Sequence, residues 1–342
     1  MKKRSDLSRL MEYAGGHRVF TYVSWVLSAL SALVALVPFL YIWMILRDVL
    51  NAAPDYFRAV NIPHYGWMAV LSAALSYLIY VCALLCSHLS AFRVATNLRL
   101  AVSEHLARLP LGFTERYGSG KLRKVIQEST GAAETYLAHQ LPDLVSAQVT
   151  TVASLVLMLA MDWRIGLPLI VLMLASFACQ MTMMGEKTMN FMKRYQDAQE
   201  EMNHEAVEYV RGISVIKVFG QSVHSIRRFK EAINAYRDDA LAFTMACKPG
   251  YVGFNTVVNA AFLVLIPAAL IGMTSAGDLT AFIENFLFYL IFAPACASVL
   301  NKIMYMSNYK MQAMESMRRI DTILLAREQS EAQEPQMAQG SD

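Results

Sequence analysis

The sequence predicts an all-α membrane protein, built of six long transmembrane helices that extend into the cytoplasm. Three observations predict it. Of the 342 residues, 56% are hydrophobic and only 17% are charged, whereas an average soluble domain carries about 25% charged residues. Charge-free stretches run over 19–46, 59–92, 144–161, 165–185, 249–277 and 285–301. Each matches or exceeds the roughly 17–25 apolar residues that a helix needs to cross hydrocarbon. Finally, 26 of the 30 Lys and Arg residues fall in the N-terminal segment, 93–124, 187–237 and 302–342. The three intervening loops hold only Arg47, Arg58 and Arg164, with Lys248 at a span boundary. Positive charge stays on the cytoplasmic side, so both termini and the two long loops are expected there.

The composition also excludes classes. An apolar fraction this high is incompatible with a disordered chain. The five cysteines all sit in apolar stretches, unlike a secreted disulfide framework. The first apolar stretch is too long for a cleavable signal and lacks a small-residue cleavage pattern. Nothing in the composition points to nucleic acid.

Taken in order, residues 1–18 form a basic cytoplasmic segment and residues 19–325 the six-span domain. Tyr41 and Trp43 close the first span, as interface anchors or as aromatic surface for an amphipathic solute. The segments 93–143 and 186–248 are long, polar and rich in helix formers, with Pro110 and Pro142 the only prolines in either. Without further breakers the spans continue as helices well beyond the membrane, by roughly 35–40 Å per 25-residue arm. Asp162, Trp163 and Arg164 alone separate the third and fourth spans, which makes a tight hairpin. Pro294 is expected to interrupt the sixth span, and Glu284 and Lys302 at its ends to snorkel. Residues 326–342 are polar and contain Pro and Gly, the composition of a linker.

Four motifs in this order resemble a known family. Pro110-Leu111-Gly112-Phe113 with Gly118 lies between the second and third spans, and Asp162–Ile170 forms the hairpin. Glu205 to Phe219 carries a Glu, Gly-Ile, Ile-Lys-x-Phe order, and Gln312–Leu324 leaves the sixth span. Together they resemble the transmembrane domain of ABC transporters with the exporter (type IV) fold, over nearly the whole chain. The opening residues 11–43 and Tyr136–Asp143 resemble, more narrowly, a bacterial branch of half-transporters near the exporter-fold importers of iron–siderophores.

The resemblance implies a bacterial inner-membrane protein that docks on nucleotide-binding domains. Phe113, Glu115 and Gly118 would belong to a first coupling turn at 113–118, and Glu208 and Gly212 to a second at 203–212. It also implies a second six-span half, identical or different, around a central cavity, with ATP and Mg on the associated ATPase domains. The ATPase itself is not in these residues. A phosphate-binding loop reads G-x-x-x-x-G-K-[ST], but here Leu122 follows Gly120-Lys121 and Glu115 stands where the first Gly is required. No catalytic residue, cofactor or metal is expected in this chain, and residues 326–342 would lead toward a nucleotide-binding domain that follows or sits on a separate chain.

Six residues are candidates for the substrate cavity: Tyr41, Lys248, Asn255, Asn259, Tyr289 and Asn301. Lys248, Asn255 and Asn259 share one helical face, and ionisable groups at membrane depth usually face a bundle interior or water. The bland reading is a snorkelling Lys and two Asn that bond neighbouring helices. The 21 methionines fall mostly on the helical extensions, where they fill packing gaps. His139, Glu134 and Asp143 read as solvated charges on a helix face. The function expected is the permease part of an ATP-driven transporter of a small or amphipathic solute. The alternative is a non-transporting membrane scaffold that holds a cytoplasmic partner.

Overall fold

The computed structural model describes residues 6–219, 223–275 and 278–329. These are helical almost throughout, as the hydropathy pattern requires. The first elements are α1 (Asp6–Tyr13), α2 (Arg18–Val34), α3 (Val37–Ala52) and α4 (Ile62–Ala107). Next come α5 (Leu111–Tyr117), α6 (Ser119–Lys124), α7 (Thr130–Thr135) and α8 (Leu141–Met161). Then follow α9 (Trp163–Thr182), α10 (Glu186–Phe219), α11 (Val223–Asn259), α12 (Ala261–Ser275) and α13 (Leu279–Leu324).

Six stretches among them are long and apolar enough to cross a membrane: Gly15–Ala52, Ile62–Ala107, Leu122–Met161, Trp163–Thr182, Arg227–Thr274 and Leu279–Met306. They match the six charge-free stretches one for one and overrun most of them, because the helices do not stop where the charges begin. The first span breaks between α2 and α3, just ahead of Pro38, whose ring opposes the carbonyl four residues earlier, on Val34. Pro294 acts differently. The expectation of an interrupted sixth span fails, since α13 runs through Pro294 as one helix of 46 residues. Membrane helices tolerate an internal Pro where surrounding groups compensate for the lost bond.

The chain divides into two compact units: residues 1–157 with 301–342, and residues 158–300. In the first, α2 packs on α4 along a seam of small polar residues. Thr21, Ser24, Ser28 and Ser31 recur at spacings of three and four and are all buried. Thr21 Oγ1 donates to Ser90 Oγ at 2.7 Å, and the Ser31 and Ser76 hydroxyls each donate to the other's carbonyl, at 3.0 and 3.1 Å. Small residues let two backbones approach, and apolar solvent favours such bonds.

The largest core of this unit lies at its stalk end. Leu10, Met11 and Ala14 of the first turns pack with Val94, Leu98 and Val102 of α4 and with Met317, Ile320 and Ile323 of α13. Arg9 grips Asp321 with two N–H groups, at 2.6 and 2.5 Å, which ties the start of the chain to the end of α13. Between α4 and α8 the returning arm contains two π turns, Val125–Ser129 and Tyr136–Gln140. Each carries an extra residue per turn and rotates the remainder of the arm by about 100° relative to a straight α-helix.

In the second unit α9 packs on α11 and α12, and α10 pairs with α11. Its core holds Ile165, Leu169, Phe254, Leu265 and Phe292, with Phe288 stacked on Phe292 at 5.1 Å between centroids. The α10–α11 pair is a stalk of polar helices. Tyr195 stacks on Phe243 (5.7 Å) and meets Tyr236, while Tyr209 stacks on Phe229 (5.7 Å). Arg194 pairs with Asp239 at 2.5 Å, and Arg228 with the buried Glu205.

Candidate functional site

The first predicted turn is built as a short helix between two breakers. Pro110 precedes α5 and Gly118 ends it at φ +82°, a left-handed conformation that Gly adopts without a side-chain penalty. Within α5, Phe113 stacks on Tyr117 at 5.5 Å and leans into the core of its unit. Leu111 and Glu115 point outward, Leu111 with 81% of its surface open. The turn thus has an anchored side and an open side.

The second predicted turn requires a correction. Residues 203–212 are not a turn; they are helical and lie inside α10, which continues to Phe219. The next helix starts at Val223, and the residues between lie outside those described. A single Gly at 212 costs about 1 kcal/mol relative to Ala and does not break a helix that packs on α11. Glu208 remains exposed on this segment, beside Val207, Val210 and Ile213, and Gly212 is partly covered. Glu205 turns the other way, into its pairing with Arg228. The hydroxyl of Tyr195, farther along the stalk, is raised above the usual phenol pKa because it bonds Tyr236 (3.4 Å), with burial adding to the effect.

Of the cavity candidates, three lie on one helix, and two of these meet. Lys248, Asn255 and Asn259 are all exposed on α11, and Asn259 Nδ2 donates to the Asn255 carbonyl (2.7 Å) and side-chain oxygen (3.1 Å). The helix passes close to α9 just past Lys248. A Cβ on Gly250 would stand 2.5 Å from Met183 Cγ and 2.6 Å from Thr182 Oγ1.

Tyr289 does not join them. It is fully buried, its hydroxyl bonded to the Met158 carbonyl and 2.8 Å from that of Asp162, and it accepts from the Asp162 N–H at 3.2 Å. It closes the hairpin between α8 and α9. Tyr41 stacks on Tyr65 (6.3 Å) and Asn301 is half-buried; both belong to the other unit. The second unit also holds an apolar recess of about 300 Å³, counted out to open solvent, bordered by Met158, Leu169, Ser176, Val258, Cys296 and Leu300.

Other charges are placed differently from the expectation. Lys302 does not snorkel: its ammonium donates to Asp143 Oδ1 at 2.7 Å, and the Tyr80 hydroxyl donates to the same oxygen at 2.5 Å. Glu284 is buried rather than turned outward. Glu134 pairs with Arg99 (3.5 Å), and His139 lies edge-on to His88 with ring centroids 4.6 Å apart. These residues are paired, not merely solvated. One signal pointed to Asp143 and Lys302, namely that ionisable groups at the ends of membrane spans seldom stand alone.

The arrangement leaves apolar and acidic side chains open on α5 and α10 and brings no catalytic constellation together among the described residues. Residues 21–293 match the family model for the ABC transporter transmembrane region. Over 259 residues the chain is 32% identical to the mycobactin import ATP-binding/permease protein of Mycobacterium tuberculosis, covering 72% of this chain and 28% of that protein. The corresponding protein of Mycolicibacterium thermoresistibile is 29% identical over 307 residues, 88% of this chain and 32% of that protein. The ATP-dependent lipid A-core flippase of Pseudomonas aeruginosa is 26% identical over 189 residues, 55% of this chain and 31% of that protein. The chain therefore spans under a third of the length of these relatives. With six apolar helices in the expected order and four-fifths of its length inside the family match, the chain belongs to the ABC transporter transmembrane region family.

Proposed function

We propose that this chain is the permease part of an ATP-driven transporter in a bacterial inner membrane, with both termini cytoplasmic. It works by alternating access as one half of a dimer, with nucleotide-binding domains carried on the same chain or on separate ones. ATP and Mg act on those domains. The observation that carries the reading is the α10–α11 stalk: 34 residues of continuous helix in α10, locked to α11 by stacked aromatics and ion pairs. A helix of that length spans about 50 Å and, held by its pairing with α11, carries displacement along the stalk.

Docking falls on the open side of α5, around Leu111 and Glu115, and on the exposed Val207, Glu208, Val210 face of α10. Glu208 supplies charge-assisted bonds to an ATPase surface, and the apolar neighbours supply area. The cargo is an amphipathic solute. Both kinds of relative carry such a molecule in their names, mycobactin or the lipid A core, and Lys248 with the Asn255–Asn259 pair gives a polar stripe for its head group. The stronger similarity to the mycobactin proteins makes import of a ferric siderophore the first candidate.

The test is uptake of radio-iron-loaded mycobactin by cells that produce the complete transporter. Glu208→Ala should leave the protein folded and the ATPase running while uptake falls by about tenfold, a barrier change of roughly 1.4 kcal/mol. Normal uptake by this variant removes α10 from the coupling surface. Absence of nucleotide-dependent uptake of both mycobactin and a fluorescent lipid A analogue by the unsubstituted transporter overturns the transport reading.

A further inference from the structure

We propose that Tyr80, Asp143 and Lys302 form a three-helix clamp that holds the middle of α13 to α4 and α8, and that transport depends on the charge pair at its centre. The three residues are remote in sequence, separated from Asp143 by 63 and 159 positions. One carboxylate oxygen receives both the Tyr80 hydroxyl (2.5 Å) and the Lys302 ammonium (2.7 Å), and the ammonium stands 5.9 Å from the centre of the Tyr80 ring. Either charge alone at a membrane span is costly, and together they are neutral. Lys302 keeps 37% and Asp143 21% of its side chain exposed. A pair that is only partly covered by its own helices is not locked in place and can open and re-form within a working cycle.

The location gives the clamp its use. Helix α13 enters this unit at Asn301, so Lys302 is its first charged residue there. At the other end of the same segment, Arg9 grips Asp321, His105 Nδ1 lies 3.1 Å from Glu328, and the Gln329 N–H donates to the Arg108 carbonyl at 3.0 Å. The stretch from 302 to 329 is thus fastened to one body at both ends, with Met317, Ile320 and Ile323 buried between. The clamp rests on the transport reading above: displacement that enters where the chain leaves α13 toward an ATPase domain reaches the membrane through this lever. Tyr80, Asp143 and Lys302 are positioning residues, since they act through α13 and touch no reacting atom. The two π turns supply the local means, because Asp143 follows the second by three residues and takes its azimuth from the rotation they introduce.

The experiment uses the complete transporter in lipid nanodiscs, with the native cysteines replaced and Ser298→Cys on α13 as reporter. Its rate of maleimide labelling is read with and without ATP and vanadate, beside ATP turnover. Lys302→Met and Asp143→Asn should each shrink the nucleotide effect on labelling by about tenfold, the scale of losing one partner of a half-buried pair, while turnover stays within about twofold. The reversed pair, Lys302→Glu with Asp143→Lys, should recover at least about half of the effect, which a contact needed only for packing would not do. The clamp is overturned if the single variants respond like the unsubstituted protein. It is equally overturned if the reversed pair, eluting as the native assembly, fails to recover the response. If the unsubstituted transporter shows neither turnover nor a nucleotide effect, the transport reading falls and takes the clamp's role with it.

Discussion

At Tyr289 one phenol hydroxyl serves three backbone groups of the α8–α9 hairpin, and its ring lies against Phe288. Removing that hydroxyl takes a partner from the buried Met158 carbonyl and from the Asp162 N–H, so Tyr289→Phe should cost about 1–3 kcal/mol. Gly166 sits in the same corner for a steric reason. A Cβ there would stand 2.5 Å from the Met158 carbonyl oxygen and 2.9 Å from its carbon, which are backbone atoms that cannot swing aside. Gly166→Ala should therefore lower stability by about 1–3 kcal/mol as well. Gly118 is the converse case, with open space around it but a φ of +82°, and Gly118→Ala should cost about 1–2 kcal/mol through backbone strain alone. Thermal unfolding in detergent reads all three. An unchanged midpoint for Gly166→Ala would show that the corner opens more readily than its distances imply.

Among the elements, the α10–α11 stalk is paired by polar as well as aromatic contacts. Its ion pairs are unequal. Arg194–Asp239 has the more open arginine, at 64% exposure, and water screens it; Glu205 keeps only 7% of its side chain exposed against Arg228. Arg228→Ala strands a buried carboxylate and should cost about 3 kcal/mol, whereas Arg194→Ala should cost less than about 1 kcal/mol. Hydrogen exchange along α10 separates them: faster exchange near Glu205 in the first variant only. Equal exchange in both variants would mean that the aromatic stacks alone hold the stalk. The returning arm before α8 shows a different principle, since its π turns let one helix present Glu134, His139 and Asp143 to partners that an uninterrupted helix would turn away from.

For the whole molecule, the expectation concerns sidedness and assembly. With 26 basic residues on one side and three on the other, thiol reagents added outside sealed cells should label cysteines introduced at 51–62 and not those at 186–240. Labelling of the stalk from outside would invert the topology. Lys248, Asn255 and Asn259 are exposed on the isolated chain, which hydrocarbon disfavours. A second six-span half that covers them as a shared cavity removes that cost. Lys248→Ala should then shift substrate-stimulated ATP turnover, most for anionic substrates, with little loss of stability because the cavity is hydrated. A fully active monomer, or a dimer with Lys248 on its lipid face, would rule this out.

The number of spans, their order and the length of the stalks were legible in the sequence, and so were the shared face of Lys248, Asn255 and Asn259 on α11 and the short element after Pro110. These properties sum over neighbouring residues. Transfer into a membrane adds up along a segment, a Pro or Gly acts within one turn, and residues seven apart share a helix face whatever surrounds them. The pairing of polar groups was not legible. Tyr289 at the hairpin and Asp143 between Tyr80 and Lys302 were decided by the tertiary structure. Asp143 and Lys302, 159 positions apart, must meet, and two π turns must set the azimuth at which they do. A single chain pattern records how much of a helix is apolar. It does not record the rotation about the helix axis at which a charge meets its counter-charge, because that angle is fixed by every turn before it and by the helices packed against it.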